Sequence, residues 1–311
     1  TQRKLIQKMI PKYENLFDDE VKKFIRISES FAGKSAGDSI EEMRKSYNEM
    51  VEYFRQARPP NVKTEDKKVE FKERTLIYRH YTKSANNNSD LIYFHGGGFI
   101  LGGLDSHDDI CAEICDITGC NVFSLDYSLA PEVKYPEFFL DAIRFYYFIK
   151  SPERRLILMG DSAGGTLAGF VSNKVRNVAI RPDAQVLIYP DLAGQIGGHS
   201  KRQFLDAPLL TKHDIDFYHK CAGLPLERGL HDLIGNFDHD NMPKTLLVSA
   251  EVDPLAEDCQ IYSESLKRHG CDITLLEGTG LPHGFLRARN VSEKARTIFD
   301  EIMKFIIQTL C

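Results

Sequence analysis

Gly160-Asp161-Ser162-Ala163-Gly164-Gly165 follows the apolar run Leu156-Ile157-Leu158-Met159 and opens a stretch, residues 163–175, with helical spacing. This is G-x-S-x-G in a strand–turn–helix setting. A residue on so sharp a turn has strained backbone angles, and its neighbours two positions away must lack side chains for the chain to pass. The arrangement lifts the Ser162 hydroxyl out of the turn, backed by amides at a helix N-terminus. A phosphate loop of the G-x-x-x-x-G-K-S/T type would need a Lys, and none follows.

Outward from this turn, short apolar runs alternate with helical stretches. The runs are residues 91–94, 122–125, 156–159, 186–189, 246–248 and 273–276; the helical stretches are 137–149, 163–175, 256–269 and 292–307. This spacing predicts an α/β protein with a mostly parallel sheet and helices on both faces. Ligands in such sheets sit beyond the carboxyl ends of the strands. Residues 69–72 and 76–78 alternate like a hairpin ahead of the parallel part.

Three further segments fall at strand ends. His95-Gly96-Gly97-Gly98-Phe99 follows residues 91–94, and its glycines let backbone amides converge on a negative oxygen. Gly97, Gly98 and Ala163 are the expected oxyanion donors. His95 reads as a brace for that loop rather than a base. Ser162 needs an imidazole oriented by a carboxylate, in the chain order Ser, acid, His. Asp253 stands just after the strand 246–248, and His283 stands in Pro282-His283-Gly284-Phe285 after the strand 273–276. Glu251 is a rival acid; strand-end placement favours Asp253. Asp161 reads as a turn-stabilising carboxylate, and the other histidines as ordinary surface or packed residues.

The segments flanking this core read as cap material. Leu16, Phe17, Val21, Phe24 and Ile25, and then Ile40, Met43, Tyr47, Met50 and Phe54, recur at helical steps, with Pro59-Pro60 closing the second helix. Residues 191–237 interrupt the alternation with Gly197-Gly198, Pro208 and Pro225 around one helix capped by Thr211 and Asp214. The expected division is a cap from residues 1–60, a core from 61–190 and 238–311, and a cap insertion over 191–237. Phe138, Phe139, Phe145, Tyr146, Tyr147 and Phe148 are expected to pack on the sheet.

His95-Gly96-Gly97-Gly98, Asp126-Tyr127-Ser128-Leu129-Ala130-Pro131-Glu132, Gly160 to Gly165, Asp253-Pro254-Leu255 and His283-Gly284-Phe285 together resemble the hormone-sensitive-lipase-like family of α/β-hydrolase esterases. The stretch from His95 to Gly103 with Leu104-Asp105-Ser106-His107, and Asp253 to Asp258, look most like bacterial acetyl esterases. The resemblance implies an α/β-hydrolase fold, a Ser162–His283–Asp253 triad acting through an acyl-enzyme, and short-acyl ester substrates. It supports Asp253 over Glu251, and it implies no metal or organic cofactor. Ser128 stands where the family usually has Arg. The same machinery could serve an amidase or formamidase, and a hydrolase fold can also serve a non-catalytic small-molecule receptor.

Composition narrows the classes. The chain has 311 residues and a formal net charge of −5, so it is long enough for a large core and lacks the basic surplus of a nucleic-acid binder. No run approaches the roughly 18 apolar residues of a membrane span. Residues 1–8 carry charge but no signal-peptide pattern, although a removed segment stays open because the chain does not start with Met. Seven Cys lack paired spacing, and Cys111 with Cys115 completes no zinc set, so reduced thiols in a cytoplasmic protein are expected. The expected partner is a small-molecule ester, with homo-oligomerisation left open.

Overall fold

A computed structural model describes residues 12–32, 39–72, 74–83, 88–192, 203–226 and 228–310. Residues 1–8, Gly197-Gly198, His199 and Cys311 lie outside the described residues.

The strands are β1 (Lys63–Phe71), β2 (Arg74–Thr82), β3 (Ser89–Phe94), β4 (Asn121–Asp126), β5 (Arg155–Asp161), β6 (Ala184–Ile188), β7 (Lys244–Val252) and β8 (Ile273–Pro282). They form one eight-stranded sheet in the order β1-β2-β4-β3-β5-β6-β7-β8. The β1–β2 hairpin and the β2–β4 pair are antiparallel, and every pair from β4 to β8 is parallel. The helices are α1 (Asp19–Ala32), α2 (Ile40–Phe54), α3 (Asp108–Thr118), α4 (Glu137–Ile149), α5 (Ala163–Val175), α6 (Lys212–Ala222), α7 (Ala256–Arg268) and α8 (Glu293–Leu310).

Strand β3 is buried from end to end, as a central parallel strand covered on both faces must be. Its alternation divides two cores. Leu91 and Tyr93 join Ile110, Ile114, Phe299 and Ile302 on one face, and Ile92 and Phe94 join Phe138, Phe145, Leu167 and Val171 on the other. Helix α5 is rich in Gly and Ala and is buried nearly all round, with one side on the sheet and another against α4. A Cβ on Gly164 would overlap the Phe94 carbonyl, so only glycine lets α5 start this close to β3.

Helix α1 docks on the start of α8. Glu20 accepts the Glu293 amide at 2.8 Å, and Lys294 lies 3.4 Å from Asp18. Its stripe of Val21, Phe24 and Ile25 is buried. Leu16 and Phe17, expected on the same helix, precede it, because Asp18 caps the Val21 amide at 2.9 Å and starts α1 at Asp19. Leu16 sits in a short 3₁₀ turn and is half-exposed. Helix α2 ends at Phe54 rather than at Pro59, because Arg55 turns extended and Gln56 donates to Asp109 at 3.3 Å.

Two other expectations are corrected. Tyr147 and Phe148 are about half-exposed, while Phe138, Phe139, Phe145 and Tyr146 are buried. Positions 138, 139, 145 and 146 share one helical face, and 147 and 148 fall off it. Strand β6 stops at Ile188, leaving Tyr189 outside the ladder with a positive φ of 37°. No helix among the described residues is long and apolar enough to cross a membrane.

Candidate active site

The turn after β5 holds Ser162 at φ 53°, ψ −124°, a left-handed conformation that costs a non-glycine residue energy. The Ser162 amide donates to the Ile188 carbonyl at 2.9 Å, and the Thr166 amide closes the first turn of α5 on the Ser162 carbonyl. A Cβ on Gly160 would overlap the Gly164 carbonyl. The hydroxyl is thereby fixed above the carboxyl ends of the central strands.

His283 Nε2 lies 2.9 Å from Ser162 Oγ, and His283 Nδ1 lies 2.7 Å from Asp253 Oδ2. Asp253 is fully buried, and its other oxygen accepts the Leu255 amide at 2.9 Å. That amide keeps the carboxylate oriented on the imidazole. Glu251, the rival acid, lies within β7, which runs past Val248 to Val252; Glu251 is exposed and accepts the Gly280 amide at 2.5 Å. The three loops carrying Ser162, Asp253 and His283 thus meet at one sheet edge.

Gly97 and Gly98 have φ of 127° and 60° and line the same cavity as Ser162, Ala163 and His283. A Cβ on Gly97 would overlap the Leu101 carbonyl, and one on Gly98 would come within 2.6 Å of the Tyr218 ring. Tyr218 lies on α6, so that helix rests directly on the glycine loop. The loop is held from below by Asp161, which accepts the Gly96 amide at 3.0 Å and the Tyr93 hydroxyl at 2.8 Å. Burial alone would raise the Asp161 carboxyl, but His107 and the Tyr93 hydrogen bond hold it at about 2.

His95 is fully buried, with Nδ1 2.9 Å from the Gly96 carbonyl and its ring stacked on Tyr127 at 4.2 Å. Burial, reinforced by His107, pulls its imidazole down to about 3, so it stays neutral. It braces the loop and does not line the cavity. Burial likewise pushes the Cys115 and Cys120 thiols up to about 12 and 11, which removes their thiolate character.

Sequence reasoning missed several participants. His107, read as an ordinary histidine, lies 3.2 Å from Asp161. Tyr189 places its ring 4.7 Å from that of His283. His219 on α6 lies 2.6 Å from Asp191 just after β6, tying α6 to the sheet. The position of Tyr189 directly before Pro190 at a strand end was a readable signal; the His107 and His219 contacts had none in spacing.

The cavity is about 1030 Å³, walled by α1, α2, α6 and the strand-end loops. A sequence profile described as the alpha/beta hydrolase fold matches residues 91–287, well over half of the chain. The chain belongs to the α/β-hydrolase family. This hydrolase is similar to an ethyl acetate hydrolase of Pseudomonas putida, 30% identical over 234 residues, covering 71% of this chain and 72% of the relative. It is also similar to an acetyl esterase of Salmonella choleraesuis, 29% identical over 283 residues, covering 86% and 87%. Among solved structures, the thermophilic carboxylesterase EstE1 from a metagenomic library superposes with a TM-score of 0.82 at 27% identity, covering 89% of this hydrolase and 99% of EstE1.

Proposed function

We propose that the chain is a serine carboxylesterase for short-acyl, acetyl-like esters. The observation that carries the reading is the continuous hydroxyl–imidazole–carboxylate contact at 2.9 and 2.7 Å. His283 takes the Ser162 proton as the hydroxyl oxygen attacks the ester carbonyl. The amides of Gly97, Gly98 and Ala163 hold the oxyanion. Asp253 fixes the imidazole tautomer and stabilises the imidazolium, which then protonates the departing alcohol. Water enters the acyl-enzyme by the same route, giving the acid and free Ser162. The short-acyl preference is supported by the names of the relatives, an ethyl acetate hydrolase and an acetyl esterase.

The cap in this reading is residues 1–60 together with 191–237, standing on a core of 61–190 and 238–311. The test is Ser162→Ala, which should abolish p-nitrophenyl acetate hydrolysis and labelling by a fluorophosphonate while the circular dichroism spectrum stays the same. Near-normal turnover in that variant would refute the assignment. A series of p-nitrophenyl esters should be fastest at short acyl chains such as the acetyl group that the relatives' names contain; a best rate at long chains would overturn the short-acyl part.

A further inference from the structure

Helix α1 brings two adjacent polar side chains to the wall of the active-site cavity. Phe24, Ser28 and Phe31 follow at helical steps and line it, and Glu29 lines it beside Ser28. Ser28 is 3% exposed, yet its Oγ has no hydrogen-bond partner among the described residues. A helical serine usually satisfies itself on a carbonyl one turn back, as Ser30 does on Ile27 at 2.6 Å. Ser28 leaves its hydroxyl free. An unpaired buried hydroxyl is destabilising unless something else completes it.

Glu29 is the exception among the carboxylates of this cavity. Asp161 accepts from Tyr93 and Gly96, Asp191 pairs with His219, Asp206 takes Lys12 at 2.5 Å and Tyr13 at 2.6 Å, and Asp214 closes the cap on Thr211. Glu29 has no such partner among the described residues. Burial pushes its carboxyl up to about 7, which marks an anion held in apolar surroundings. Among the described residues, the Arg of the wall is Arg287, already engaged by the Ser106 carbonyl at 2.5 Å and Asp109 at 3.5 Å. The neighbouring walls are aromatic, with Phe24, Phe31, Tyr47 and Phe217, and such faces also attract cations.

We infer that Ser28 and Glu29 form a specificity subsite for esters that carry a protonated amine away from the scissile bond. The ammonium N–H donates to the Glu29 carboxylate and is shared with Ser28 Oγ as a three-centre bond, while the ester reaches Ser162 across the same cavity. The inference rests on the esterase reading and adds the chemistry of the substrate's remote end. A neutral hydroxyl in the amine's place would gain one hydrogen bond and leave the carboxylate charge unmatched.

The experiment uses two matched pairs of esters near pH 7.5, where most of the Glu29 carboxyl and of the amines is charged. The first pair carries the charge on the alcohol side: 2-(dimethylamino)ethyl acetate against its isostere 3-methylbutyl acetate. The second carries it on the acyl side: ethyl 4-(dimethylamino)butanoate against ethyl 5-methylhexanoate. The readout is the ratio of kcat/KM within each pair, compared between the natural chain and its variants, so that intrinsic ester reactivity cancels. Glu29→Gln should lower the ratio by about ten-fold in at least one pair, the worth of one charge-assisted hydrogen bond. Ser28→Ala should lower the same ratio by about three-fold. Glu49→Gln, exposed on α2 and outside the cavity, should leave it unchanged. Equal ratios in the natural chain and Glu29→Gln for both pairs would overturn the inference alone. Failure of the natural chain to hydrolyse any of the four esters would instead overturn the esterase reading, and the inference with it.

Discussion

Arg74 places Nη1 2.6 Å from the hydroxyl of Ser128, a position where the resembling esterases usually carry Arg. The same nitrogen lies 2.9 Å from Asp141, which is fully buried in α4 and also accepts the Ser128 amide at 3.1 Å. A guanidinium delivered from β2 thus bridges the side chain of residue 128 and the Asp141 carboxylate. Removing one partner of a buried charge pair is costly because the other charge stays behind. Arg144, 3.3 Å from Asp141, limits the damage. Arg74→Ala should lower stability by about 2–4 kcal/mol in denaturant unfolding. Adding Ser128→Arg should recover at least about half of that loss; no recovery would show that the two positions are not interchangeable.

The Asp253 carboxylate is fully buried against His283 Nδ1, with the Leu255 amide on its other oxygen. Asparagine would keep the shape and favour the wrong imidazole tautomer. Asp253→Asn should reduce kcat by about 10⁴ with an unchanged fold. Glu251→Gln, whose carboxylate is committed to Gly280, should stay within about three-fold of the natural rate, as expected for a group that touches no reacting atom. Steady-state kinetics on p-nitrophenyl acetate distinguishes the two acids.

Gly98 combines a positive φ of 60° with the Tyr218 ring 2.6 Å from where a Cβ would stand. If its amide serves as the proposed oxyanion donor, Gly98→Ala should displace it and lower kcat by about 10²–10³. Adding Tyr218→Ala relieves the collision and leaves the backbone strain, so recovery should be partial. An undiminished kcat in Gly98→Ala would remove this amide from the chemistry.

Glu29 gives stability a pH dependence of definite sign. Its carboxyl titrates near 7 in the fold and near the ordinary 4.5 when unfolded. The folded state therefore holds the proton more tightly, and the associated stabilisation is full below about pH 4.5 and is lost as pH rises through 7. Glu29→Gln lacks this loss. Its Tm should match that of the natural chain near pH 4.5 and exceed it by about 2–5 °C near pH 8. A Tm difference that does not change with pH would remove Glu29 as the source. The same substitution weakens the amine preference inferred above, so stability and selectivity oppose each other at this position.

The parts of the molecule that obey local rules were readable from the chain. Residues 163–175 match α5, and the runs at 91–94 and 156–159 fall in β3 and β5, because periodicity and glycine crowding act over a few residues. The segments bearing Ser162, Asp253 and His283 could be picked out because strand ends in a parallel sheet share one edge. What escaped depends on contacts between distant segments. His107 on Asp161, His219 on Asp191 and Arg74 on Ser128 join residues 54, 28 and 54 positions apart, with no pattern linking them. Asp18, which moved the start of α1 past Leu16 and Phe17, could have been read as a cap, since Asp before an apolar stripe is a common helix start.

The docking of α1 on α8 has a consequence for synthesis. Glu20 and Glu293 are separated by 273 positions. At about 5–20 residues per second on the ribosome, Val21, Phe24 and Ile25 emerge roughly 15–55 s before the helix that anchors their first turn. Phe24 meets Phe54 of α2 at a ring distance of 5.1 Å, so α2 can cover part of the stripe early, and the hydrogen bond to α8 is what waits out the interval. Slowing translation should lengthen the period in which the first turn of α1 waits for its anchor on α8.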